Sequence, residues 1–207
     1  MTRKVVNTMS KTAITSAPIA PVLADRWSPR SFDETYEISN HDLRSILEAG
    51  RWAPSANNVQ PWRFSVGRRG DKVFAAIAEN LKSWNAAWAP NASAIIVVSG
   101  VVKNAAGEEN SWATFDSGIS TAHMLVQATE LGLHAHVMAG VEFQALAEAL
   151  GHGDHLKGLV AIAVGKVAPA DKLQGPLFER EVLNADWPPD IAPTCAPPTL
   201  LVPGLLD

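Results

Sequence analysis

Pro54 and Pro61 bracket a stretch, Ala53-Pro-Ser-Ala-Asn-Asn-Val-Gln-Pro-Trp-Arg63, that can be neither helix interior nor central strand. Each proline holds φ at about −65° and lacks the N–H that a helix or ladder needs. The chain must therefore break here, with its polar side chains presented rather than buried in a ladder. Asn58 and Gln60 each carry a donor and an acceptor, which suits the edge of a planar heterocycle that alternates the two. The same residues also suit an Asx-turn loop that hydrogen-bonds its own backbone.

Periodicity organises the chain on both sides of this break. Ser39 followed by Asp42 makes a capping-box-like start, and Leu43, Ile46, Leu47 and Gly50 share one helical face. Trp62 to Val66 alternates as a strand, and Val73, Phe74, Ile77, Ala78 and Leu81 mark a second amphipathic helix. Ala94 to Ser99 reads as a buried strand. A helix from about Ser111 to Leu131 is small or apolar on most sides, which predicts burial on several faces, and Gly132 closes it. His134 to Met138 predicts a strand, Phe143 to Leu150 a short helix ended by Gly151, and Gly158 to Val164 another buried strand. Helices and strands are interspersed with irregular crossovers, so the fold class is α+β.

We read residues 1–25 as a loosely held arm, 26–187 as one domain, and the proline-rich 188–207 as an extension, either disordered or wrapping a partner subunit. The whole chain has 207 residues, enough for one well-filled core. A formal net charge of −4 with no Lys/Arg run gives no face for nucleic acid. The longest apolar runs, Ser93–Val102 and Gly158–Val164, fall short of the roughly 20 residues of a spanning helix, so no membrane segment is expected. Arg3 and Lys4 lead into Ser10, Lys11, Thr12 and Thr15 rather than into a secretory core, and a cytoplasmic location is expected. With Cys195 as the only cysteine and no His-Glu-x-x-His element, neither a disulfide nor a metal site is expected.

A second polar cluster, Arg26-Trp-Ser-Pro-Arg-Ser-Phe32, lies upstream of the proline loop. The ordered pair, Arg26-x-Ser28-x-Arg30-x-Phe32 and Pro54-Ser55-x-x-Asn58-x-Gln60-Pro61-Trp62, resembles the nitroreductase family of flavoproteins, over about residues 26 to 183. The resemblance implies a three-layer α/β/α sandwich with a mostly antiparallel sheet, and FMN held at the interface of a homodimer. It implies that Arg26, Trp27 and Ser28 lie toward phosphate and ribityl, with Arg30 toward the ring's N1–C2=O side. Pro54, Ser55, Ala56, Asn58 and Gln60 also reach FMN in this reading, Ser55 and Asn58 from the partner subunit. Asn85 corresponds to an asparagine that bonds the ring, and also reads as an N-cap or surface residue. Met138, Ala139 and Gly140 stand where a glycine backbone approaches N5, or form a plain turn.

Two departures accompany the resemblance. Where the family has Lys-x-Arg-x-Pro-Leu for the phosphate, this chain reads Lys172-Leu-Gln174-Gly-Pro176-Leu177, so weaker FMN retention is expected. The connection from Ser99 to Ser111 is short, which implies a pocket that is open or lidded by the tail. Trp84, Trp88, Trp112 and Phe115 suit either core filling or the walls of a planar-substrate pocket. The implied activity is FMN-dependent transfer of hydride from NADH or NADPH to a small electron-poor acceptor, a nitroaromatic or quinone, with no catalytic side chain. The alternative is a flavin-binding or flavin-handling protein without NAD(P)H oxidase activity.

Overall fold

The computed structural model describes residues 11–13, 15, 17–104 and 106–181. The proline-rich extension and most of the first part of the arm lie outside them. Elements run α1 (Pro21–Asp25), α2 (Asn40–Arg51), β1 (Trp62–Arg68), α3 (Lys72–Glu79), α4 (Ser83–Ala86), β2 (Ala94–Val101), α5 (Ala113–Glu130), β3 (His134–Met138), α6 (Phe143–Ala149), β4 (Leu156–Gly165) and α7 (Pro176–Glu181). Single 3-10 turns at Ala56–Asn58, Ala89–Asn91 and Ala170–Lys172 punctuate them.

The four strands form one sheet in the order β1-β2-β4-β3, antiparallel at every pairing. β2 is central because its run of Ala94, Ile95, Ile96, Val97 and Val98 has apolar side chains for both faces. Ile96 and Val98 face α2 and α5, packing with Leu43, Ile46 and Met124. Ile95 and Val97 face the other way, toward Phe74, Ile77, Trp88 and Leu146. Helices on both faces of the sheet make the expected three layers, and among the described strands the sheet is wholly rather than mostly antiparallel. The register shifts between Val98 and Ser99, leaving Leu159 as an extra residue on β4.

The α2 cap forms as the sequence predicts, with the Asp42 N–H donating to Ser39 Oγ at 3.0 Å. Gly132 takes the left-handed backbone at φ +68 that closes α5. The second amphipathic helix stops earlier than its periodicity suggests. α3 ends at Glu79, and Leu81 is buried instead through an isolated antiparallel bridge to Val141.

The expected burial of α5 on several faces is not met within one chain. Its buried positions are Ala113, Asp116, Ser117, Ser120, Thr121, Met124 and Ala128, while Phe115, Gly118 and Ala122 face outward. Hydroxyls can be buried here because they find main-chain carbonyls: Thr121 Oγ1 donates to Ser117 at 2.9 Å and Ser120 Oγ to Gly50 of α2 at 2.9 Å.

Candidate functional site

The Pro54–Pro61 loop is the most distorted backbone in the described chain. Asn57, Asn58 and Gln60 have φ of +50, +57 and +52 and are the non-glycine residues in the left-handed region. Its own polar groups hold the shape: the Gln60 N–H donates to Ser55 Oγ at 2.9 Å, and Gln60 Nε2 donates to Asn58 Oδ1 at 2.9 Å. The Asx-turn alternative is thus partly realised, yet Asn58 and Asn57 remain exposed. From α5, Asp116 Oδ2 accepts the Ala56 N–H at 3.1 Å and fixes the loop against the helix. Asp116 is 3% exposed and lies in the first turn of α5, where the helix dipole favours a negative charge.

A cleft of about 260 Å³ opens beside this loop, lined by Pro54, Ser55, Ala56, Trp112, Phe115, Asp116 and Ile119. Trp112 and Phe115 are 58% and 64% exposed and meet edge to face with ring centres 6.4 Å apart. Trp88, by contrast, is core, stacked on Phe32 at 6.1 Å and meeting His136 at a tilt at 4.5 Å. The core and pocket readings of the aromatics therefore divide by residue. A larger cleft of about 1000 Å³ between α2 and β1 shares only Gln60 with the sequence-derived set. The link from β2 to α5 folds back on itself, with Lys103 bridged antiparallel to Glu109.

The Arg26–Phe32 segment lies elsewhere. Phe32 bridges Val167 just beyond β4, and the Pro29 carbonyl contacts His136 Nδ1 of β3 at 2.8 Å. A carbonyl can only accept, so Nδ1 carries the proton. Burial, the largest influence, pushes His136 down to about 4; the Pro29 carbonyl opposes this and Arg30 adds to it. His134 is also pushed down, by burial and then by the Arg26 charge. Arg26 Nη1 donates to Ser28 Oγ at 3.3 Å. Trp27 meets His134 edge to face at 5.6 Å, and Lys11 lies 4.1 Å over the Trp27 ring. Trp27 Nε1 and His134 Nδ1 are buried with no hydrogen-bond partner among the described residues.

Other predicted residues group in part. Asn85 Nδ2 donates to the Gly140 carbonyl at 3.1 Å, and a Cβ on Gly140 would lie 2.7 Å from that nitrogen, so the two positions form one fitted corner. Met138 is 3% exposed with its side chain in the core, which leaves only its main chain to face a ligand, and Ala139 follows it into the Gly140 turn. Lys172 pairs with Glu34 at 3.6 Å, and Gln174 is exposed. No hydrogen bond, ion pair or ring contact among the described residues joins Arg26–Phe32 to the Pro54–Pro61 loop. Trp62 pairs with Gly100 at one end of the sheet and on its β1 edge, whereas His134 pairs with Gly165 at the other end and on the β3 edge. The two motifs occupy diagonally opposite corners.

Motif reading missed Asp116, Lys11, His134, His136 and Glu181. Only Asp116 left a signal, as a lone carboxylate among the small and apolar residues of the first half of α5.

The sequence model of the Nitroreductase family matches residues 23–86 and 67–166, and the chain belongs to that family. It is 34% identical over 139 residues to a candidate NADH dehydrogenase/NAD(P)H nitroreductase of Archaeoglobus fulgidus, covering 62% of this chain and 74% of that protein. It superposes with a TM-score of 0.78 and 32% identity on an oxidoreductase containing FMN, covering 89% of this chain and 91% of that one. A candidate nitroreductase of Desulfovibrio desulfuricans, solved in complex with FMN, superposes at TM-score 0.63 and 29% identity, covering 82% and 98%.

Proposed function

We propose that this chain is an FMN-dependent NAD(P)H oxidoreductase acting on a small electron-poor acceptor, a nitroaromatic or quinone, and working as a homodimer. The observation that carries it is the separation of two flavin-type donor sets onto opposite corners of one sheet. The breadth of four strands, roughly 14 Å by interstrand spacing, lies between them. Ser55, Asn58 and Gln60 of one copy complete a site with Arg26, Ser28 and Arg30 of another. The outward face of α5, with Phe115, Gly118 and Ala122, is apolar and narrow enough for the copies to approach closely.

The donors present fit the group. Arg26 and the nearby Lys11 suit a phosphate dianion, and Trp27 Nε1 and His134 Nδ1 are spare hydrogen-bonding atoms at the same corner. Arg30 suits the ring's N1–C2=O side, while Asn85 and the Met138–Gly140 main chain suit its other edge. Bound there, FMN would supply the hydride-transfer chemistry between NADH or NADPH and the acceptor. The protein's part is to hold, orient and tune. Trp112 and Phe115 present flat faces for an aromatic acceptor beside Pro54 and Ser55.

No described helix is long and apolar enough to cross a membrane. A second reading, flavin handling without NAD(P)H oxidation, draws on the thin phosphate end, where Lys172 is engaged with Glu34 and Gln174 is neutral. Anaerobic titration of the yellow protein with NADH and NADPH separates the two. Bleaching of bound flavin, followed by reoxidation with a nitroaromatic or quinone, supports the oxidoreductase; flavin that stays oxidised under both reductants refutes it.

A further inference from the structure

Glu181, at the end of α7, is 3% exposed. Its Oε1 accepts the backbone N–H groups of Arg30 and Ser31, each at 3.0 Å, and Oε2 also lies 3.0 Å from the Arg30 nitrogen. Successive main-chain amides aimed at one carboxylate form a small anion nest. Lys11 closes the arrangement, donating to the Glu181 backbone carbonyl. Burial is the largest influence on both Lys11 and Arg30 and pushes their pKa values down, while the Glu181 charge pulls both back up.

Holding α7 in place does not require a charge. Leu177 and Phe178 already pack against the core, and a neutral acceptor at 181 would hold the two amides as well. What the carboxylate adds is negative charge against the Arg30 main chain, close enough to act on the Arg30 guanidinium. Resting on the flavin site proposed above, we infer that Glu181 is a positioning residue that sets the Arg30–Ser31 peptide in place and offsets the Arg30 charge, keeping bound FMN at a lower reduction potential than an uncompensated arginine would. A reduced flavin ring would carry its negative charge at N1–C2=O. Arg30 favours that form, and a carboxylate behind Arg30 moderates the preference.

The test compares the potentials of the FMN-loaded full-length protein with those of Glu181→Gln, Glu181→Ala and Arg30→Gln, each equilibrated with a reference dye, alongside FMN dissociation constants from fluorescence. Gln keeps a carbonyl oxygen for both amides and lacks the charge. Expected for Glu181→Gln is FMN affinity within about threefold of wild type and roughly a tenfold shift toward reduced flavin at fixed dye poise, about 30 mV for a two-electron couple. Glu181→Ala should shift the same way and also bind FMN more weakly, since both amides are released; it carries the potential test if Glu181→Gln does not fold. Arg30→Gln should shift toward oxidised flavin. If Arg30→Gln does so while both Glu181 variants leave the potential unchanged, the inference on Glu181 is overturned and the flavin site stands. If Arg30→Gln has no effect, or the protein binds no FMN, the placement of Arg30 fails and the inference with it.

Discussion

Asp116 on α5 accepts the backbone N–H of Ala56 at 3.1 Å, tying the proline loop to a helix 60 positions away in sequence. Asp116→Ala leaves that amide and the helix start without the carboxylate. We expect a loss of about 1–3 kcal/mol in denaturant unfolding and weaker FMN binding. Asp116→Asn keeps an acceptor oxygen and should recover much of both. Equal losses in the two variants would contradict the hydrogen-bonding role.

Gly140→Ala places a methyl group 2.7 Å from Asn85 Nδ2. The amide end must swing away and surrender its bond to the Gly140 carbonyl. Since a side chain rather than backbone yields, stability should fall by only about 1 kcal/mol, while FMN affinity falls severalfold. Calorimetry and fluorescence titration read the two effects separately.

His136 makes the apo protein acid-sensitive over a defined window. Its ordinary pKa of 6.5 is pushed down to about 4 in the fold, so between these values the unfolded chain binds a proton that the native chain does not. Stability from this group is full above pH 6.5, declines by at most about 1.4 kcal/mol per pH unit on acidification, and levels off below about 4. His136→Asn should flatten the profile of unfolding midpoint against pH in that interval. An unchanged slope would count against the assignment.

Trp112 and Phe115 are mostly exposed, so truncating either to alanine should alter the stability of one chain by no more than about 0.5 kcal/mol. Their faces line the cleft beside Ser55. The expected signature is a raised KM for flat aromatic acceptors with little change in the rate of flavin reduction by NAD(P)H, measured by stopped flow.

Gln174 stands exposed where a guanidinium would add a charged hydrogen bond to phosphate. Gln174→Arg should tighten FMN binding at least about tenfold, in line with roughly 1.5–3 kcal/mol for such a bond. Riboflavin, which has no phosphate, should show no gain; an equal gain for both ligands would place Gln174 away from the phosphate.

The strands, the Ser39 cap and the Gly132 terminus were legible because each is written in a few adjacent residues. Burial of α5 on several faces does not follow within one chain: Phe115, Gly118 and Ala122 face outward, while Ser120 and Thr121 bury because their hydroxyls return to main-chain carbonyls. The ties that shape the candidate site, Asp116 to Ala56 and Glu181 to Arg30 and Ser31, link residues 60 to 151 positions apart and leave no local pattern. Lys172 was legible as a cation, but its pairing with Glu34 depends on tertiary placement.

Asn57, Asn58 and Gln60 already sit in an uncommon backbone basin in the free chain, held there by Ser55 and Asp116. A recognition surface sculpted in advance surrenders little freedom at the moment of capture. Association with a planar guest should therefore run at the speed of encounter, with no slow phase for remodelling the amides that greet it.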